Sequence, residues 1–351
     1  MWKYDDYKQW IDNGCKVNDT VTILYLFKCN LINLSENIDN LINLRKLYCS
    51  NNQLTELPKT LGNLINLQIL TCDYNQLTEL PKTLGNLINL QQLSCGDNKL
   101  KELPKTLSNL INLQDFHCFN NKLTKLPKTL GNLINLQQLS CFNNNLIELP
   151  KTLCNLINLQ VLQCNVNKLT KLPENICNLI NLHELYCEKN KLTELPKTLC
   201  DLINLRKLYC NYNKLTILPE TINNLINLRE FDCAFNKLTK LPISIMKLKH
   251  LKYINYDENI RLPINLRRFI GRINNEINNN VHNISIQISL LDSINILLSE
   301  TITKNIDIIE DNILDNKTKS ILYNFIEDKT VGALLVNFEE LLIYVLEKID
   351  N

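Results

Sequence analysis

Several kinds of chemistry are missing from this chain. It holds no G-x-x-x-x-G-K-[ST] phosphate loop, no G-x-S-x-G, no H-E-x-x-H and no kinase signature. Its four histidines, His117, His183, His250 and His282, are dispersed, and no C-x-x-C pair or close Cys/His cluster offers zinc a ligand set. No run of 18 apolar residues exists, so no helix is expected to cross a membrane. The 38 basic and 36 acidic residues leave a formal charge of +2, which gives no electrostatic case for nucleic acid. The opening MWKYDDYKQW is charged and lacks the apolar core of a secretory signal. These absences lead to the expectation of a non-enzymatic, cytoplasmic protein with no cofactor and no metal, binding neither nucleic acid nor membrane; a monomer is expected, although nothing in the sequence identifies the oligomeric state.

What is present is a period. Cys49, Cys72, Cys95, Cys118, Cys141, Cys164, Cys187, Cys210 and Cys233 recur at a constant interval of 23. An asparagine follows each by three residues, from Asn52 to Asn236, and a leucine follows that by two, from Leu54 to Leu238. A period of this size means stacked copies of one small unit. In Leu47-Tyr48-Cys49, alternation puts Leu47 and Cys49 on one face and Tyr48 on the other, as a short strand requires. Stacked copies would form a parallel sheet, with about 4.8 Å per rung. Leu54, Leu57, Leu61 and Leu64 would turn inward, where only neighbouring coils can cover them. The asparagine amide both donates and accepts, so a column of them can pair the backbone groups that a turn leaves inside the coil. Nine prolines, Pro58 to Pro242, hold one position per unit and are expected to fix φ where the chain leaves the strand. The segment KTLGNLIN then has room for a single helical turn on the outer side.

The frame L-x-x-[LF]-x-C-x-x-N-x-L-x-x-L-P resembles the leucine-rich repeat family, with cysteine at the third apolar position. The resemblance covers roughly residues 22–263, about ten copies. It implies an α/β solenoid, a horseshoe whose parallel β-sheet lines the concave face, followed here by a small all-α domain. The 23-residue L-P form is similar to that of cytosolic Ras-associated and plant intracellular members. The Asn/Ile/Lys-rich style is similar to that of leucine-rich repeat proteins of large DNA viruses of amoebae, whose cytoplasm would be the host's. A protein partner of unknown identity, bound on the concave face by a scaffold, is what the family implies.

Fourteen cysteines raise the question of disulfides. On in-register parallel strands their Cβ atoms would stand about 4.8 Å apart, against about 3.8 Å in a bridge, with the wrong approach. They therefore read as small buried apolar residues. Cys154, Cys177 and Cys200 form a second register, replacing Gly62, Gly85 and Gly131, and read as small-residue positions.

Both raw ends of such a stack need covering. Residues 1–21 carry Trp2, Tyr4, Tyr7, Trp10 and Ile11 at helical spacing, with Gly14 as a stop, and are expected to cap the first coil. Residues 264–351 lose the period and show apolar positions at helical spacing around Ile284–Leu298, Ile306–Ile313, Ile321–Ile326 and Leu334–Leu346. They carry 8 basic against 13 acidic residues, opposite in sign to the remainder. Some family members end in a ubiquitin ligase domain with a thioester-forming cysteine. The last cysteine here is Cys233, which excludes that chemistry from residues 264–351. An alternative function is a substrate-recognition subunit, with those residues recruiting a ligase.

The candidate binding residues flank the buried strand positions. Aromatics fall in two groups: Phe119 and Phe142 near His117, then Tyr186, Tyr209, Tyr212 and Phe235, with Tyr74 apart. Exposed aromatics on a concave surface make protein hot spots, or else they pack against one another.

Overall fold

The computed structural model describes residues 1–273. Eleven three-residue strands, from β1 (Ile23–Tyr25) and β2 (Lys46–Tyr48) to β10 (Glu230–Asp232) and β11 (Tyr253–Asn255), form one open parallel sheet in chain order. Each pairing advances by one repeat, Leu24 beside Leu47 and Leu47 beside Leu70. The sheet therefore has one rung more than the cysteine ladder and its leading copy suggest. The added coil carries Tyr256 where the nine ladder coils carry cysteine, which hides it from the pattern.

The strand leucines and the nine ladder cysteines are fully buried. Each ladder sulfur is near a carbonyl of the following rung where a bond forms: Cys49 Sγ donates to Thr71 O at 3.3 Å and Cys72 Sγ to Ser94 O at 3.3 Å. The asparagines do what their chemistry suggests. Asn75 Oδ1 accepts the Leu54 N–H of the preceding coil at 2.9 Å. Its Nδ2 donates to the carbonyls of Cys49, Cys72 and Asp73 at 3.0–3.1 Å. In the first coil Cys29 replaces asparagine and donates its thiol to Phe27 O at 3.3 Å.

The prolines do not stand at the strand exit. Pro58, with φ −61° and ψ 142°, immediately precedes the 3-10 turn Lys59–Asn63, and its carbonyl accepts the Leu61 N–H at 3.1 Å. A fixed φ at this point prepares the turn, and the missing N–H is not needed there. Repeated turns lie on the convex side. At Gly62 a Cβ would meet Thr83 O at 2.4 Å, so glycine lets that coil approach the next, but the register also takes Asn223 and Met246 and is not confined to small residues. Cys154 and Cys200 are buried there, and Cys177 is half-buried.

The N-terminal segment covers the first rung. Helix α1 (Tyr4–Asp12) buries Tyr7 and Trp10, and Gly14 follows at φ +82°. Ile11 is 40% exposed and takes no part in the lid. Trp2 adds itself to the edge of β1: its N–H donates to Ile23 O and its carbonyl accepts Tyr25 N–H, both at 2.8 Å. Tyr7 OH accepts the Ser35 N–H at 2.8 Å, and Trp10 Nε1 donates to Lys16 O at 2.7 Å. A second helix, α2 (residues 264–273), buries Leu266, Ile270 and Ile273 in the same apolar cluster as the coils. The four helical stretches expected within 284–346 lie outside the described residues.

Candidate functional site on the concave face

Strand alternation sends the first and third residues of each strand to the concave side. Tyr25 with Phe27 and Tyr48, at centroid distances of 6.1 and 5.8 Å, forms an aromatic cluster on the first two rungs that the sequence reading omitted, and two further clusters hold the candidate residues. Phe119 and Phe142 stack with centroids 4.8 Å apart and planes 3° from parallel. Phe119 lies over Gly96: a Cβ there would be 2.5 Å from the ring. Glycine thus lets the ring lie flat on the sheet. His117, at the end of β5 (Asp115–His117), is half-buried, and burial pulls its pKa down to about 4. The imidazole is neutral at pH 7 and offers hydrogen bonds, not charge.

The second cluster comprises two stacks. Tyr186 and Tyr209 are 5.2 Å apart at 17°; Tyr212 and Phe235 are 4.2 Å apart at 8°. Tyr186 OH donates to Glu184 Oε2 at 2.7 Å and Tyr209 OH to Glu230 Oε2 at 2.5 Å. Lys207 Nζ reaches Glu184 Oε1 at 3.3 Å, and Lys189 Nζ lies 5.7 Å from the Tyr212 ring centroid. Burial and then the neighbouring glutamates push both strand tyrosine hydroxyls upward, so they stay protonated donors. Tyr212 and Phe235 are 44% and 56% exposed. Between the stacks, Glu188 Oε2 and Asn211 Oδ1 are buried without a hydrogen-bond partner. Burial raises the Glu188 pKa. Tyr74 is 43% exposed and belongs to neither stack.

Not every position flanking the buried residues is open. Ser50, Thr71, Asp73, Ser94, Ser140, Asp232 and Ala234 are buried. Asp73 accepts hydrogen bonds from Ser94 Oγ at 2.5 Å, Gly96 N–H at 2.7 Å and Ser50 Oγ at 3.3 Å, closing the N-terminal part of the face. Three residues that the sequence reading omitted do belong to the face: Glu184, Lys207 and Glu230. Each opens its strand, two residues before a position already counted, and the period-2 rule would have found it. The residue after the strand turn is left-handed throughout, with φ near +50° at Asn51, Tyr74, Val166, Tyr212 and Phe235 among others. Asparagine tolerates this; valine and the aromatics are held there by the coil.

Among the described residues no group of three or more His, Cys, Asp or Glu could hold a metal ion, and no helix is long and apolar enough to cross a membrane. A family model described as a leucine-rich repeat region matches residues 19–143, and one for leucine-rich repeats in two copies matches residues 203–245. Solved structures agree. A leucine-rich repeat protein of Leptospira interrogans is 28% identical, with TM-score 0.61, over 73% of this chain and 83% of that one. The functional domain of InlJ from Listeria monocytogenes, which includes a cysteine ladder, is 29% identical, with TM-score 0.59, over 70% of this chain and 55% of that one. The Arabidopsis receptor kinase HAESA, solved with a peptide hormone and a co-receptor, is 30% identical, with TM-score 0.60, over 67% of this chain and 41% of that one. The chain thus spans most of the first of these and about half or less of the other two. No curated protein matches.

Proposed function

Because the chain is a leucine-rich repeat protein, a fold that serves generally as a protein-interaction module, we propose that it binds a protein partner on its concave face. The observation that supports this most is the stacked aromatic set Tyr186, Tyr209, Tyr212 and Phe235, partly exposed on a sheet that also carries the pairs Phe119–Phe142 and Tyr25–Tyr48. Stacking does not spend these rings. A ring held face to face with its neighbour is part of a rigid apolar platform, and rigid aromatics lose little entropy on binding.

The chemistry around the second cluster describes the partner. Glu184, Glu188, Glu230 and Asp232 share these rungs with Lys189 and Lys207, and Lys207 is already engaged by Glu184. The partner is a protein segment carrying basic side chains beside an apolar one. The fourteen free cysteines favour a reducing compartment, in keeping with a cytoplasmic scaffold.

The test is the affinity of the captured partner for Tyr209→Ala and Phe142→Ala. A loss of about 1–3 kcal/mol, or roughly 5- to 150-fold, is expected in at least one of the two variants. Affinity should also fall as salt rises. Unchanged affinity in both variants refutes the placement.

A further inference from the structure

One row of the coil is apolar and faces water. From Ile42 to Ile226, nine isoleucines recur once per repeat in the loop that returns from the convex turn to the strand. Their exposures run from 46% at Ile42 to 58% at Ile180. The Asn66 Nδ2 donates to Ile42 O at 3.1 Å and Asn89 Nδ2 to Ile65 O at 2.9 Å, so consecutive coils touch here and the row is a continuous stripe. Its flanks are amides: Asn63 and Asn66 beside Ile65, Asn86 and Asn89 beside Ile88. The concave columns vary from rung to rung, while this column does not.

We propose that this stripe is the interface at which two copies of the chain pair. Nine half-exposed isoleucines present on the order of 700 Å² of apolar surface. A monomer's largest patch is usually about 300–600 Å². A specific interface takes about 800 Å² from each partner, which the stripe and its asparagine rows together supply. Depletion of charge marks the centre of an interface, and the middle rungs, from Ile65 to Ile157, have only Asn and Gln around the stripe, while Arg45, Asp201, Arg206 and Arg229 lie toward its ends. The period selects the occupant. Nine ridges at one spacing meet nine identical ridges in register only on a second copy, whereas a surface of another pitch drifts out of step. A two-fold pairing also uses the same patch on both chains. Full overlap puts the middle residue, Ile134, against its counterpart whether the two chains run parallel or antiparallel.

This does not rest on the concave-face reading. The full chain should sediment as a dimer at about 1–100 μM, and the combined Ile111→Lys, Ile134→Lys and Ile157→Lys variant should sediment as a monomer with an unchanged circular dichroism spectrum. In Ile134→Cys, mild oxidation should give a covalent dimer. Three results overturn the proposal: a wild-type mass of one chain at the top of that concentration range, a dimer that survives the three lysines, or a thiol at position 134 that never cross-links. A monomer whose position-134 thiol resists alkylation would mean that another part of the same chain covers the stripe, and it too overturns pairing between copies.

Discussion

Replacing Asn144 with alanine removes one rung of the internal amide column. Asn144 Oδ1 accepts the Leu123 N–H at 3.0 Å, and its Nδ2 donates to the carbonyls of Cys118 at 3.0 Å and of Cys141 and Phe142 at 3.2 Å. These losses are unequal. Cys118 O keeps Asn121 Nδ2, Cys141 O keeps Asn167 Nδ2, and Phe142 O keeps the Asn120 N–H. Each carbonyl therefore retains a donor and costs a few tenths of a kcal/mol. The Leu123 N–H is left with no acceptor in a dry interior, a cost of about 1–3 kcal/mol. Together these come to about 3 kcal/mol. Urea unfolding should show it as a lowered midpoint at constant slope, with faster exchange at the Leu123 amide. Asn236, only half-buried, should cost less when changed in the same way. A loss in Asn144→Ala below about 0.5 kcal/mol, the least that one hydrogen bond is ordinarily worth, refutes the idea that the amides close the coil. An unaltered Leu123 exchange rate refutes it too.

Two further outcomes follow from strain and from the thiols. Val166 is β-branched at φ +51°, where Asn120 and Asn143 occupy the same place in their own coils. Val166→Asn should raise stability by about 1 kcal/mol in urea unfolding, and a loss would show that the valine side chain makes contacts worth more than its strain. Burial pushes the Cys141 thiol up to about 12 from an ordinary 9. The unfolded chain ionises first, so this stabilisation is complete below pH 9 and is lost as pH climbs toward 12, by up to about 1.4 kcal/mol per pH unit for each such thiol. A urea midpoint unchanged from pH 8 to pH 11 contradicts this, as does a native ladder that reacts with thiol reagents as fast as half-buried Cys177.

The coil itself was legible because its causes are local. Leu47, Cys49, Asn52 and Leu54 each have one reason to be where they are, and that reason returns in every following coil. Pro58 was misplaced because nothing in the sequence shows that the chain travels from Tyr48 through the left-handed Asn51 and a loop before it turns. Ile65 was overlooked for a similar reason: N-L-I-N-L offers two adjacent apolar residues, and only the 3-10 turn decides that Leu64 goes in and Ile65 stays out. Phe119, Phe142, Tyr186, Tyr209, Tyr212 and Phe235 were grouped from the sequence, with packing against one another as one of two alternatives, while Tyr25, Phe27 and Tyr48 were passed over. The flat stacking was not legible, since Phe119 on Phe142 depends on the rung spacing and on Gly96 leaving a flat bed. Glu184, Lys207 and Glu230 could have been read from alternation alone.

The concave-face account stands or falls on one comparison: the dissociation constant of a captured partner for the wild-type chain and for Tyr186→Ala/Tyr209→Ala, both at fixed salt. A roughly 5- to 150-fold weakening, with unfolding midpoints held equal, is the result expected from rings that form the contact. Equal affinity in two equally stable proteins would place the partner elsewhere on the molecule.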